Sequence, residues 1–419
     1  MSRRVLVMIV ASLGFFFVTG TTFTSLGYVL YTMVAELGWS QATAGVSFSL
    51  LGLACGLSSP LPPLVMKWIG TRLTMVAGCL VLAAGFYIAS TIHELEFFFV
   101  ATALMGVGFS LVAPAPGVYL LATWFPDTSA RMIGFYFMIG SSGGIAGPLI
   151  VGAIVGSTGS WRLHWMMMAV AAFALAVLCF IGIRDAVKVE SVQQVSGAGA
   201  SPARRTQTNE SPWTVREALR TPAFITLAFA MTVIQTVVTT AHSSLVAHVA
   251  NLGAGATAGA ISMSLLALAG TVAKGITGAL SERVDPKRLL VIGLALQSLS
   301  MALLCVANGM FSAYAASTLF GIGWGLSWLS AHVLLLRYFG AAIVGTMTAM
   351  ATTVTTVAVL GPIVAGRVAD LTGSFSPTLL ALAAVLGVTT FSTALLLRRP
   401  TRHEAPSTDI AVAPVTPSV

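Results

Sequence analysis

Apolar residues run along this chain in long blocks separated by short polar breaks. The blocks fall at roughly 5–35, 43–66, 73–91, 97–125, 131–156, 165–183, 222–250, 257–280, 288–307, 311–337, 341–368 and 375–397. A helix needs about 20 mostly apolar residues to cross a bilayer. The pattern therefore predicts twelve spanning helices, with those longer than needed tilting or extending past the membrane. Gly and Pro are frequent inside the blocks, as expected where helices pack closely or bend in lipid.

The pattern is also duplicated. Gly106-Val-Gly-Phe109, Trp124-Phe125 and Gly147-Pro148 are answered by Gly321-Ile-Gly-Trp324, Tyr338-Phe339 and Gly361-Pro362. The register is 215 residues at the first element and 214 at the last two. Thr43-Ala-Gly45 pairs in the same way with Thr257-Ala-Gly259, Ser49 with Ser264, and Thr158-Gly-Ser160 with Thr372-Gly-Ser374. A duplicated, apolar, helical chain reads as a transporter built from two homologous six-helix halves. The expected halves are 1–183 and 222–397, joined by a linker at 184–221 and followed by a disordered tail at 398–419. The middle of the linker, Ser196–Ser211, is rich in small polar residues and reads as mobile. Its end, Trp213–Arg220, reads as a short amphipathic helix before Pro222.

Composition supports lipid as the solvent. The chain is 57% hydrophobic and 8% charged, against about 25% charged in soluble domains. The net charge of +8 is spread through the breaks rather than gathered in one patch, so it does not indicate nucleic acid. Arg3, Arg4, Lys67, Arg72, Arg131, Arg283, Lys287, Arg288, Arg337, Arg398, Arg399 and Arg402 fall on one side, with the six basic residues of the linker. Glu36, Glu94, Glu96 and Asp370 fall on the other, with Arg162 and Arg367. The positive-inside rule then places both termini in the cytoplasm, and a bacterial inner membrane is the expected location. Cys55, Cys79, Cys179 and Cys305 lie in apolar blocks without metal or disulfide spacing. No nucleophile elbow, phosphate loop, dinucleotide fingerprint or metal cluster occurs, so neither enzymatic activity nor a cofactor or metal is expected.

Six helices, a loop and six more helices resemble the major facilitator superfamily. Lys67-Trp-Ile-Gly-Thr-Arg72 and Ser281-Glu-Arg-Val-Asp-Pro-Lys-Arg288 resemble its loops between helices 2 and 3 and helices 8 and 9, although the first copy lacks the acidic residue. Trp124-Phe125, Ala130-Arg131, Gly134 and Gly140-Ser-Ser-Gly-Gly144 resemble the monocarboxylate transporter and oxalate/formate antiporter branch. So do Glu217–Phe224 and Ala273-Lys274 with Gly278. The branch has a carboxylate-binding arginine where this chain has Lys274, and an acidic residue one turn earlier where it has Gly270. The acidic, aromatic motif that opens helix 1 in animal members is absent. The resemblance implies a transporter that rocks around a midplane site. Arg72, Arg131, Arg283 and Arg288 would serve its gating loops, and Pro148 and Pro362 its bends.

Lys274 stands out because it is the only Lys, Arg, Asp or Glu expected well inside a span. Such a charge costs a few kcal/mol on insertion scales and usually faces a watery cavity. Two readings are open: an anion site, or snorkelling toward Ser281, about 10 Å along the helix. Helix 7 has a polar stripe of Gln235, Thr239 and His242, and helix 1 has one of Thr24 and Tyr28. Each stripe either meets substrate or makes interhelical hydrogen bonds. Trp324, Trp328 and His332 share a face at i, i+4 and i+8, with Tyr119 expected across the cavity. That face either clamps the substrate or packs. His242, His332 and Lys274 are the proton-coupling candidates. The combined expectation is proton-coupled uptake of a small organic anion, a monocarboxylate, by a monomer in the bilayer. The alternatives are anion exchange, proton-driven export of lipophilic compounds, or a transport-inactive receptor.

Overall fold

The computed structural model describes residues 3–92, 94–185, 213–340 and 343–400. The linker centre Ser196–Ser211, Arg402 and the tail from residue 401 lie outside the described residues.

Among the described residues, eleven helical runs are long and apolar enough to cross a membrane, one fewer than the twelve blocks. The difference lies in Pro222–Leu280, a run of 59 residues that holds two passes. Gly253 and Gly255 adopt φ of 80° and 79°, a region that glycine enters without the Cβ clash other residues meet. The chain reverses there, and Gly259 packs back against Val246. The spans are α1 (Arg3–Leu37), α2 (Gln41–Ser58), α3 (Leu61–Thr91), α4 (Leu95–Trp124), α5 (Arg131–Thr158), α6 (Trp161–Gly182), α7 (Pro222–Val249), α8 (Gly255–Leu280), α9 (Pro286–Val306), α10 (Met310–Phe339), α11 (Thr346–Thr372) and α12 (Ser376–Leu396). Gly70, at φ 80°, interrupts α3, so the turns before it prolong α2. A short helix, Val215–Leu219, precedes α7 and is closed by a Thr214–Glu217 capping box.

The repeated glycines have one job in both halves. Gly106 of α4 meets Leu51 and Ala54 of α2, and Gly321 of α10 meets Leu266 and Ala269 of α8. Gly108 meets Gly78 and Leu82 of α3, and Gly323 meets Gly293 and Gln297 of α9. A side chain at any of these positions would hold the backbones apart, which explains small residues at helix crossings in lipid. Each half thereby builds an apolar core, with Val246 and Ala260 of the second half packed into the edge of the first. One is anchored by Trp161, Trp165, Phe86 and Phe98, the other by Phe320, Leu294 and Met231.

The acid missing from the Lys67–Arg72 loop comes from elsewhere. The carboxylate of Asp185, just past α6, accepts hydrogen bonds from the backbone N–H groups of Thr71 (2.8 Å) and Arg72 (3.3 Å). In the second half Asp285 caps its own helix by accepting from the N–H of Lys287 at 3.0 Å. Both carboxylates satisfy otherwise orphaned donors at a helix start. Four arginines were expected to serve the gating loops. Arg72 sits over Phe180 (4.9 Å) and Arg131 over Phe135 (5.7 Å), while Arg283 and Arg288 are exposed in the turn that Asp285 organises. Arg337, at the end of α10, donates to the Ser281 carbonyl and ties α10 to that turn.

The halves meet along two seams, α2 with α11 and α5 with α8. Ser49 donates to the Val359 carbonyl across the first, and Ser264 donates to the Ile145 carbonyl at 2.8 Å across the second. These are the same bond in the two copies of the repeat. Beyond them, toward the side carrying Glu36 and Asp370, Gly45 lies against Pro362, Gly366 against Gln41, and Gly27 against His242. Toward the side carrying Arg3 and Arg283, neither Gly134 of α5 nor Gly275 of α8 has a neighbour close enough to touch an added Cβ. The protein is therefore closed at its acidic face and parted at its basic face.

Candidate functional site

Lys274 lies on α8 two turns to the basic side of Ala267, where Ala267 still touches the α5 seam at Gly144. Its ammonium does not reach toward Ser281. It rests over the indole of Trp324, 3.6 Å from the ring centroid. Gly270, one turn earlier on α8, leaves room for the same indole, since a Cβ there would stand 3.0 Å from the ring. An acidic side chain at position 270 would compete with Trp324 for that space, which accounts for its absence. Gly325 brings α10 against the backbone of Gly270 and Lys274. The sequence thus places small residues wherever Trp324 and Lys274 need room to meet.

Two imidazoles flank the pair. The ring of His242 on α7 stands edge-on to Trp324, with centroids 5.9 Å apart. His332 packs against Trp328 at 4.8 Å. Nδ1 of His242 is 2.8 Å from the Val238 carbonyl, and Nδ1 of His332 is 2.8 Å from that of Trp328. A carbonyl can only accept, so each Nδ1 carries a proton and each Nε2 is left as a free acceptor. The Trp324 indole N–H has no acceptor among the described residues. Lys274 has no carboxylate partner among them either, since the one ion pair found joins Arg162 to Glu36 at 2.6 Å. The cluster holds a surplus of positive charge and donors. A cation–π contact returns about 0.5–2 kcal/mol, less than the cost of an unpaired intramembrane charge.

The other expected site residues are not gathered here. Thr24 is buried, donates to the Thr19 carbonyl at 3.0 Å, and turns its methyl to Gly144 of α5. Tyr28 is buried with its ring against Gly152 of α5. In this state the α1 stripe faces α5 at the seam. The Thr239 hydroxyl is shared between carbonyls of its own helix and that of Ala358 on α11, 3.1 Å away, so it belongs to the α7–α11 contact. Gln235 is half-buried two turns from His242 on the same face. Tyr119 lies near the basic end of α4, where Trp124 donates its indole N–H to the Arg184 carbonyl at 2.9 Å, and it makes no contact with the Lys274 cluster among the described residues. Pro148 and Pro362 are both buried, inside α5 and α11, and Pro362 lies against Gly45 at the α2–α11 seam. Sequence reasoning overlooked Asp185 and Asp370. Each looks like an ordinary loop acid until the helix starts that they cap are brought close.

Comparison with known proteins agrees with this architecture. The chain has the fold of a variant of the nucleoside transporter NupG, with a TM-score of 0.79 at 15% identity over 95% of this chain and 100% of that one. It also resembles a bacterial homolog of the human lysosomal transporter Spinster in an inward-facing, occupied conformation, with a TM-score of 0.72 at 13% identity over 94% and 96% of the two chains. Among curated relatives, the multidrug resistance protein MdtH of Cronobacter sakazakii (strain ATCC BAA-894) is 27% identical over 148 residues, an alignment that spans only 35% of each chain. The model of the Major Facilitator Superfamily matches residues 10–359. With twelve spans, two duplicated halves and a family match over most of its length, this chain belongs to the Major Facilitator Superfamily of secondary transporters.

Proposed function

We propose that this transporter carries a small organic anion, a monocarboxylate, with a proton, inward across a bacterial inner membrane. The observation that supports the reading is Lys274, an intramembrane ammonium with an aromatic neighbour and, among the described residues, no anionic one. A carboxylate docking between Lys274 and the Trp324 N–H would supply the missing counter-charge and acceptor at once. One cation favours one carboxylate over two. The faces of Trp328 and Trp324 would then hold the apolar part of the acid. By the positive-inside rule the basic face, with both termini, is cytoplasmic. On that assignment the parted side opens to the cytoplasm and the closed seams face outward.

Proton coupling would use groups already at the site. Among the described residues no Asp or Glu pairs with the cluster, so the carrier is His242, His332, Lys274 or the substrate as its neutral acid. The short match to a multidrug resistance protein raises a second reading, export of lipophilic compounds. An unpaired ammonium opposes cationic cargo, which favours anions between the two readings. The deciding experiment uses proteoliposomes offered labelled lactate, pyruvate, oxalate or benzoate, with and without an acid-outside gradient. Accumulation of a monocarboxylate that the gradient accelerates is expected. Acceleration by preloaded internal anion, without any response to the gradient, makes the protein an exchanger. Indifference to all four acids removes the anion reading.

A further inference from the structure

We infer that Asp370 is a latch that holds the acidic face of this transporter closed. Asp370 sits in the last turns of α11. Its two carboxylate oxygens accept hydrogen bonds from the backbone N–H groups of Gln41 (2.7 Å) and Ala42 (2.9 Å), which open α2 in the other half. The first donors of a helix have no partner within it. At α2, the Ser40 side chain accepts from Thr43 N–H at 3.1 Å and leaves the first two donors unfilled. The opposite half fills them, with a negative charge placed where the helix dipole favours one. Gln41 and Ala42 thus have their cap only while the two halves touch.

The other side-chain hydrogen bonds across the seams, from Ser49 and Ser264, go to carbonyl groups and involve no charge. They are also balanced, one in each copy of the repeat. The latch is not. In the repeat register Asp370 corresponds to Gly156, at the end of α5. An added Cβ at Gly156 meets nothing within 4 Å. The α5–α8 seam lacks the carboxylate that the α2–α11 seam has, and it has space for one. Among the described residues, no basic side chain pairs with Asp370 to draw it from the helix start.

A bond present in one state and replaced by water in the other biases the equilibrium between them. Asp370 would therefore tune how often the acidic face opens, independently of which substrate is carried. Loss of a charged helix cap is worth a factor on the order of ten in population.

The test is the rate at which a membrane-impermeant maleimide, applied from the acidic face, labels a cysteine beneath the gate. Ala260→Cys is a small change at a buried position against Gly152 in the α5–α8 seam. The native cysteines are replaced first, and the protein is kept in lipid. Asp370→Ala should raise the labelling rate about tenfold. Asp370→Asn keeps one acceptor but no charge and should raise it less. Gly156→Asp, which offers the second seam a latch of its own, should lower the rate, and combined with Asp370→Ala should reverse part of the rise. An unchanged labelling rate in Asp370→Ala and Asp370→Asn overturns the inference.

Discussion

The Lys274 ammonium lies 3.6 Å from the centroid of the Trp324 ring and is anchored there without a carboxylate among the described residues. A charge held on an aromatic face is stabilised but not neutralised. The arrangement keeps the site attractive to an anion while leaving it free to release one.

Lys274→Ala should lower uptake at least tenfold with normal membrane insertion, and Lys274→Arg should retain part of it. Arginine keeps the charge and can stack on Trp324, although its planar fork presents donors differently. Initial rates in proteoliposomes containing equal amounts of inserted protein decide the matter. Wild-type uptake by the alanine variant would remove Lys274 from the site.

Trp328→Ala should shift preference toward bulkier acids, because deleting an indole beside His332 leaves space. The measurement is the ratio of benzoate to lactate uptake, not either rate alone. A ratio that stays constant in both Trp328→Ala and Trp324→Phe would make the two indoles packing residues.

The two imidazoles make separable predictions about coupling. If His332 carries the proton, His332→Gln should transport without acceleration by an acidic exterior, while exchange of internal for external substrate continues. The same holds for His242→Gln if that residue is the carrier. Uptake against external pH, with counterflow measured alongside, distinguishes them. Unaltered pH profiles in both variants would assign the proton to Lys274 or to the substrate.

Asp185→Ala should weaken the first half by on the order of 1 kcal/mol, the usual value of a helix cap. The N–H groups of Thr71 and Arg72 lose their acceptor, and a neighbouring residue cannot replace it because Gly70 turns the chain there. A lower melting temperature in detergent, matched by that of Asp285→Ala, is the expected result. If Asp185→Ala melts like the wild type, water supplies the cap equally well.

Gly45→Val should hinder closure at the acidic face. A Cβ at this position falls onto the Pro362 backbone, which cannot swing aside as a side chain would. The variant should label faster from the acidic face and transport more slowly. Gly156→Ala, where nothing stands within 4 Å, is the matched control and should leave both rates within twofold.

The spans and the duplication were legible because lipid imposes a length on every helix and because Gly106, Gly108, Gly321 and Gly323 each solve a crossing that tolerates no side chain. The break inside Pro222–Leu280 could be read from Gly253 and Gly255. The direction of the polar stripes was less accessible. Thr24 and Tyr28 mark a face of α1, but periodicity does not say which helix that face meets. In lipid, polarity alone cannot separate a seam from a cavity, since both lie away from the acyl chains. Asp185 and Asp370 were opaque for another reason. Their partners are 114 and 329 residues distant in the chain and are backbone groups, which carry no sequence signal.

Trp161 and Trp165 on one side, and Phe320 and Leu294 on the other, belong to separate cores. Folding strength and turnover are thus entrusted to different residues. A substitution inside either core should lower the amount of intact carrier while each surviving molecule works at its usual speed. One along the seams should leave the amount alone and alter the speed. Variation among relatives of this chain can therefore retune the working cycle at the seams without reopening the problem of how each half holds its shape.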